Sequence, residues 1–327
     1  TMAIVGEALT TYTAVGQRED LTDVIYDISP TETPFMSNAA RVTVKAKRHD
    51  WQTDSLAAAA ANAKTEGAII SAAAISPTSR LQNPTQIARK PFAVTGTTEA
   101  VDKAGRASEV SYQTAKHGRE MKRDMEKDLT GAAAASVGGA GTARTFAGVE
   151  SWIETNGTEL GTGATTAGYK TASGLVSAAP VDGSTAVAFT EGHLKLAIRE
   201  AWTEGGDPGV IMVGPFNKTV VSGFSGIGTL YQDVTRRGTE SQAAIIGGAD
   251  LYISDFGRHV VIPNRFQRDN TALILDMSMW AVGFLRPMHT FELGKRGDAD
   301  EMVVQTEYTL ESRNEAASAK VAGLTTS

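Results

Sequence analysis

The chain has 327 residues, 41% of them hydrophobic and 21% charged, with 0 cysteines and a formal net charge of -6. That length allows two ordinary domains or one elaborate one, and the composition is that of a folded chain with a core. The acidic balance, without any basic run, argues against a nucleic-acid reader built on phosphate neutralisation. The cysteine count leaves no disulfide or thiolate metal site, which suits a reducing cytoplasm.

The first stretch, "TMAIVGEALTTYTAVG", has neither the basic start nor the long apolar run of a signal peptide. No 18 apolar residues run together anywhere, so no membrane span is expected. In "REDLTDVIYDISPTETPFMSNAA", Leu21, Val24, Ile25 and Ile28 fall at i, i+3, i+4 and i+7, the apolar stripe of a short helix. Glu19 and Asp20 suit its first turn, and Pro30 ends it at Ser29. Thr33 is placed to cap a second turn with Pro34 at its first position, presenting Phe35 and Met36. A helix of about ten residues is marginal alone, so this stripe must bury against another surface.

Residues 41–56 alternate, with Val42, Val44 and Ala46 on one face and Thr43, Lys45 and Lys47 on the other, which predicts a strand. Residues 81–98 form a second extended run, restricted to edge-type pairing by Pro84 and Pro91. Between them lies a small, Ala-rich stretch, and the economical reading is one long two-stranded ribbon with a mobile tip. The alternative is a helix through the alanines. Such a ribbon is marginal in isolation and offers open edges to another chain.

Residues 98–131 give the clearest helical pattern, with Val110, Thr114, His117, Met121, Met125 and Leu129 on one side and Gly131 at the end. Arg119, Lys122, Arg123, Glu126 and Lys127 interleave with Glu120 and Asp124 on what reads as a solvated charged face. Gly105 and Gly118 are the points where this helix would break or bend. From 131 to 187 the composition is loop-like, with Trp152 and Ile153 expected to pin it to a core. A helix over 190–204, with Leu194, Ile198, Ala201 and Trp202 inward, then a strand "VIMVG" and a short helix opened by Pro215, predict an α/β layer. The remainder reads as a run of strands, and no repeat of fixed period is present.

The residues carry no catalytic constellation. His49, His117, His193, His259 and His289 are scattered without metal-ligand spacing. "GFSGIG" and "GGAGTA" lack the context of a phosphate or dinucleotide loop, and Asp298, Asp300 and Glu301 read as a polar turn. The sequons at Asn156 and Asn217 read as chance matches. An α/β enzyme using Asp233, Asp255 or Asp276 near strand ends is the alternative from a different class, with no paired base or nucleophile to support it.

The order of parts, and the stretches "LTDVIYDISPTETPFMS", "RTFAGVESWI" and "VIMVGPFNKTVVSGF", resemble the major capsid proteins of tailed bacteriophages, of the Hong Kong 97 type. Within them the chain is similar to a subfamily of phage major head proteins formerly classed as of unknown function. The resemblance implies an α+β fold with an N-arm at 1–40, an E-loop at 41–98, the spine helix of a peripheral domain at 99–131, an axial domain at 132–285 and closing peripheral strands at 286–327. It implies a non-enzymatic subunit without cofactor or metal that assembles as homo-hexamers and homo-pentamers around double-stranded DNA, without sequence-specific binding. A portal protein at one vertex, a separate scaffolding protein and a decoration protein are the partners it suggests, in a virion assembled in the bacterial cytoplasm. Leu21, Val24, Ile25, Ile28, Phe35, Met36, Val42, Val44, Lys64, Arg119 and Arg123 are the expected assembly residues. Lys64 is also the position a Lys-to-Asn crosslink would use, although no motif supports one. An encapsulin-like compartment shell is the alternative on the same fold.

Overall fold

The computed structural model describes residues 31–67, 75, 77–166, 173–224, 250–295 and 297–327. The predicted helix carrying Leu21, Val24, Ile25 and Ile28 lies outside the described residues, as does Asp233.

Two sheets organise the described chain. The first has four strands: β1 (Ala40–Thr43) and β4 (Gln86–Thr95) flank the long hairpin of β10 (Trp280–Glu292) and β11 (Ala299–Ser312), in the order β1-β10-β11-β4. The second has six, in the order β5-β12-β9-β6-β8-β7: Gly157–Glu159, Ala319–Ala322, Thr271–Leu275, Val210–Val213, Gly257–Pro263 and Leu251–Ser254. A separate ribbon pairs β2 (Arg48–Thr53) with β3 (Ser79–Pro84).

The expected long ribbon is thus shorter than the alternation suggests. Its outer ends join the four-stranded sheet, β1 parallel to β10 and β4 antiparallel to β11, so only six residues a side remain paired to each other. Alternation identifies a strand and says nothing about its partner. Pro91 is accommodated because β4 is an edge strand.

Three short helices, α1 (Pro34–Asn38), α2 (Gly96–Ala100) and α4 (Val149–Trp152), surround the long helix α3 (Glu109–Thr130), and α5 (Glu191–Thr203) and α6 (Pro215–Ser222) accompany the six-stranded sheet. The expected helix over 98–131 is split. Gly105 takes a φ of 76°, and Ser108 opens α3 by accepting from the Ser111 amide, which leaves 22 residues, about 33 Å.

Two apolar cores share the central strands of the six-stranded sheet. Along β9, Leu273 and Leu275 join Met121, Met125, Trp152, Trp280 and Tyr308, while Ala272 and Ile274 join Leu194, Ile198 and Val321 under α5. Met212 and Ile211 of β6 divide in the same way. A strand buried on both faces reads as an unbroken apolar run, which is why "VIMV" and "TALIL" lack alternation. Trp152 and Ile153 are both fully buried, as expected. Trp202 is not inward: it is 54% exposed and lies on Phe256, because the helical stripe ends at Ala201. The break expected at 285 falls inside β10, and the C-terminal strands divide between the sheets, since β12 crosses to pair with β9 and β5.

Candidate assembly surfaces

The N-terminal hook is anchored within its own chain. Thr33 makes no side-chain cap to α1, contrary to expectation. The two oxygens of Glu126 take that role, accepting from the Phe35 amide at 2.7 Å and the Met36 amide at 2.9 Å. Asn264 Nδ2 donates to the same carboxylate at 2.8 Å. Glu126 is therefore not part of the solvated face of α3 but fully buried between α1 and the loop at Asn264. Burial raises its pKa, and the three hydrogen bonds to it only partly offset that effect. Phe35 is fully buried, edge-on to Trp280 at 6.4 Å, and Met36 is buried beside it. Both belong to the local core, as does Val44, which packs where a Cβ on Gly283 would otherwise sit. Val42, within β1, is half-buried.

At its base the β2·β3 ribbon is fixed at several points. His49 Nε2 meets Glu311 Oε2 at 2.6 Å, and Trp51 packs on Trp152 at 5.4 Å. The His49 hydrogen bond leads the influences that hold the Glu311 carboxyl below its ordinary range. The Gln82 amide and side chain donate to the carbonyls of Gly174 and Ser173. Asn83 is fully buried and exchanges hydrogen bonds with both the amide and carbonyl of Ala147. Below it, Glu307 accepts from Thr85 Oγ1, Arg144 and Arg286 at 2.7, 2.6 and 2.8 Å, tying together the strands from which the ribbon leaves. These polar anchors were invisible to periodicity.

Beyond Thr53 the described residues of the loop have no regular structure, so the alternative of an alanine helix fails for residues 54–65. Lys64 is exposed there. Leu56 is 98% exposed and Ile75 95%, the most exposed large apolar side chains described.

The outer side of α3 is the third surface. Arg119 is exposed, and Arg123 is half-buried with its guanidinium 5.3 Å from the centre of the Phe266 ring. Lys90 of β4 reaches over to Asp124 at 2.8 Å and Glu120 at 3.6 Å. His117 is a packing residue, stacked on Phe92 at 5.0 Å and bonded to Glu120 at 3.0 Å.

Among the described residues no group of three or more His, Cys, Asp or Glu side chains is placed to hold a metal ion, and no helix is long and apolar enough to cross a membrane. Asp276 caps a turn by accepting from the Ser278 amide, and Asp255 is exposed in the turn between β7 and β8. Asp300 pairs with Lys295 in the β10·β11 turn, as expected of a polar hairpin.

A family model described as SU10 major capsid protein matches residues 8–325. The major capsid protein of Escherichia phage Phieco32 is 26% identical over 343 residues, covering 94% of each chain. Among solved structures, the capsid asymmetric unit of cyanophage A-1(L) aligns at a TM-score of 0.68 with 13% identity, over 98% of this chain and 100% of that one. The capsid of a native GTA particle aligns at 0.60 with 12% identity, over 99% and 100%. A structure of the Phage G major capsid proteins with decoration proteins aligns at 0.55 with 11% identity, over 99% and 100%. At these identities the structural likeness shows the fold, the α+β architecture of Hong Kong 97 type capsid proteins.

Proposed function

The chain belongs to the SU10 major capsid protein family, and from that premise we propose that its copies close into an icosahedral shell of homo-hexamers and homo-pentamers around double-stranded DNA. It is a structural subunit of a phage capsid and not an enzyme. In this reading residues 1–40 are an arm and the loop carried by β2 and β3 is an E-loop, both reaching neighbouring subunits. The α3 helix and the four-stranded sheet form a peripheral domain, and the six-stranded sheet forms an axial one. A portal at one vertex and a separate scaffold complete the assembly. A decoration protein is a further partner, by analogy with Phage G, whose structure includes them.

The observation that carries the reading is the loop beyond Thr53. Leu56 and Ile75 are almost fully exposed at the end of a ribbon whose base is firmly anchored. Burying either side chain is worth about 1.5 to 3 kcal/mol, none of which a lone subunit gains. A shell supplies the missing surface from the next copy. Extended loops also create the large total area of obligate interfaces, about 2,000 to 5,000 Å². Ordering them only on contact couples their folding to correct placement.

Replacing Leu56→Asp and Ile75→Asp together tests this. The subunit is expected to keep its circular dichroism and its stability within about 0.5 kcal/mol, while closed particles disappear from electron micrographs. Normal particles from the double variant would contradict the loop's role.

A further inference from the structure

Lys320 is a fully buried cation in mid-strand, and the sheet leaves a path for its stem. In β12 it stands opposite Gly157 of β5, the three-residue edge strand of the six-stranded sheet. A Cβ at Gly157 would meet Lys320 Cε at 3.0 Å, so glycine keeps that path open. The side chain reaches Glu159, two residues further along β5 and on the same face, where Nζ lies 2.5 Å from Oε1. Nζ also donates to the Glu150 carbonyl of α4 at 2.8 Å, which holds the nitrogen from a second side. The Glu159 side chain is itself only 3% exposed.

The Glu159 carboxylate is not held as comparable buried carboxylates are. Glu126, Glu307 and Glu315 each accept three hydrogen bonds, the provision a buried ion requires. The Glu150 carboxylate is engaged by Arg268 at 3.0 Å. Glu159 accepts no hydrogen bond from the described residues at either oxygen, because Nζ, although 2.5 Å away, stands off the hydrogen-bonding direction. An amine nitrogen is therefore pressed on an otherwise unsupported carboxyl group in a dry site. Such a pair is costly to keep as ions, and condensation removes both charges at once. Holding the reacting groups in contact is worth an effective concentration of about 10⁵ to 10⁸ M.

We propose that Lys320 and Glu159 join in an intramolecular isopeptide bond, a covalent staple between β12 and the edge strand β5. The step balances within the pair. The ammonium passes one proton to the Glu159 carboxylate, the freed lone pair of Nζ attacks Cδ, and an N–C bond forms as one C–O bond breaks. The oxygen leaves as water with two of the three ammonium protons, and the third stays on the amide nitrogen. Nothing is oxidised or reduced, and no co-reactant is needed. The product closes residues 159–320 into a covalent ring and ties the C-terminal strand to the sheet. The reaction needs one folded chain and does not rest on the shell reading.

Intact mass spectrometry of the purified full chain, after incubation in native buffer, tests the proposal. The chain is expected to be lighter by one water than its sequence requires. Trypsin is expected to release residues 145–170 joined to residues 314–327, with no cleavage after Lys320. Lys320→Arg, which keeps the charge but cannot form this bond, is expected to restore the full mass. Where that variant does not fold, the wild-type mass and the joined peptide decide alone. A folded wild-type chain of full mass, cut normally after Lys320, overturns the proposal and leaves an ion pair in its place. So does a loss of water that persists in folded Lys320→Arg or that maps to other residues. Unassembled chains that carry the bond would sustain this inference while counting against the shell; closed particles of full-mass chains would sink it and leave the shell reading standing.

Discussion

Glu126 shows how a single side chain decides where a segment goes. Its position on α3 lies at the border between the apolar stripe and the charged face, and in sequence it is one acid among alternating charges, so periodicity assigns it to water. What buries it is distant in sequence: the α1 turn at residues 34–38 and the Asn264 side chain. Two helix-terminal amides need acceptors, and a carboxylate has two oxygens to offer. Glu126→Ala removes the acceptor of the Phe35 and Met36 amides and leaves the Asn264 amide to the weakly accepting Met212 sulfur at 3.3 Å, and is expected to cost about 2 to 4 kcal/mol in urea unfolding at neutral pH. Wild-type stability in that variant would disprove the capping role. The pH dependence has a definite sign. Because burial raises the folded pKa above its ordinary 4.5, this group's contribution is greatest below pH 4.5 and falls as pH rises through the raised value. Glu126→Gln, which does not titrate, is expected to lack that fall; an unchanged pH profile would show that the carboxyl is not the group responsible.

At the scale of elements, the helices were the most legible parts, and strand partnership the least. The stripes of α3 and α5 match their buried residues from Met121 to Leu129 and from Leu194 to Ala201, because a helix's contacts repeat along its own sequence. Trp202, one residue beyond the buried stripe of α5, is exposed and lies on Phe256, because that stripe ends at Ala201. The strand β1 was recognisable from Val42 and Val44, but its pairing with β10, parallel and about 240 residues away, depends on the register Val42 to Gly283. Gly283 makes that approach possible: a Cβ there would meet Val44 Cγ2 at 2.6 Å and Thr309 Cγ2 at 3.1 Å. Gly283→Ala is expected to destabilise the subunit by about 1 to 3 kcal/mol, and Val44→Ala added to it to recover part of the loss. A double variant no better than the sum of its singles would mean that the strain lies elsewhere.

At the scale of the molecule, the C-terminal residues stitch the two sheets into one body. The β10·β11 hairpin belongs to the four-stranded sheet, yet β12 crosses to the six-stranded one, where Lys320, fully buried, donates to the Glu150 carbonyl at 2.8 Å. A lysine in mid-strand gave no sequence signal for such a place, since its partner is fixed only by the fold. The loop between the ribbon strands was legible, because a stretch of small residues between two alternating runs does not depend on a long-range contact. The central claim is that this body is a repeating unit whose exposed loop is completed by the next copy. Negative-stain electron microscopy of the purified full-length chain tests it most directly. Closed shells or rings of five and six subunits are the predicted result; a field of single subunits that stays unassembled at high concentration and with scaffold supplied would contradict it.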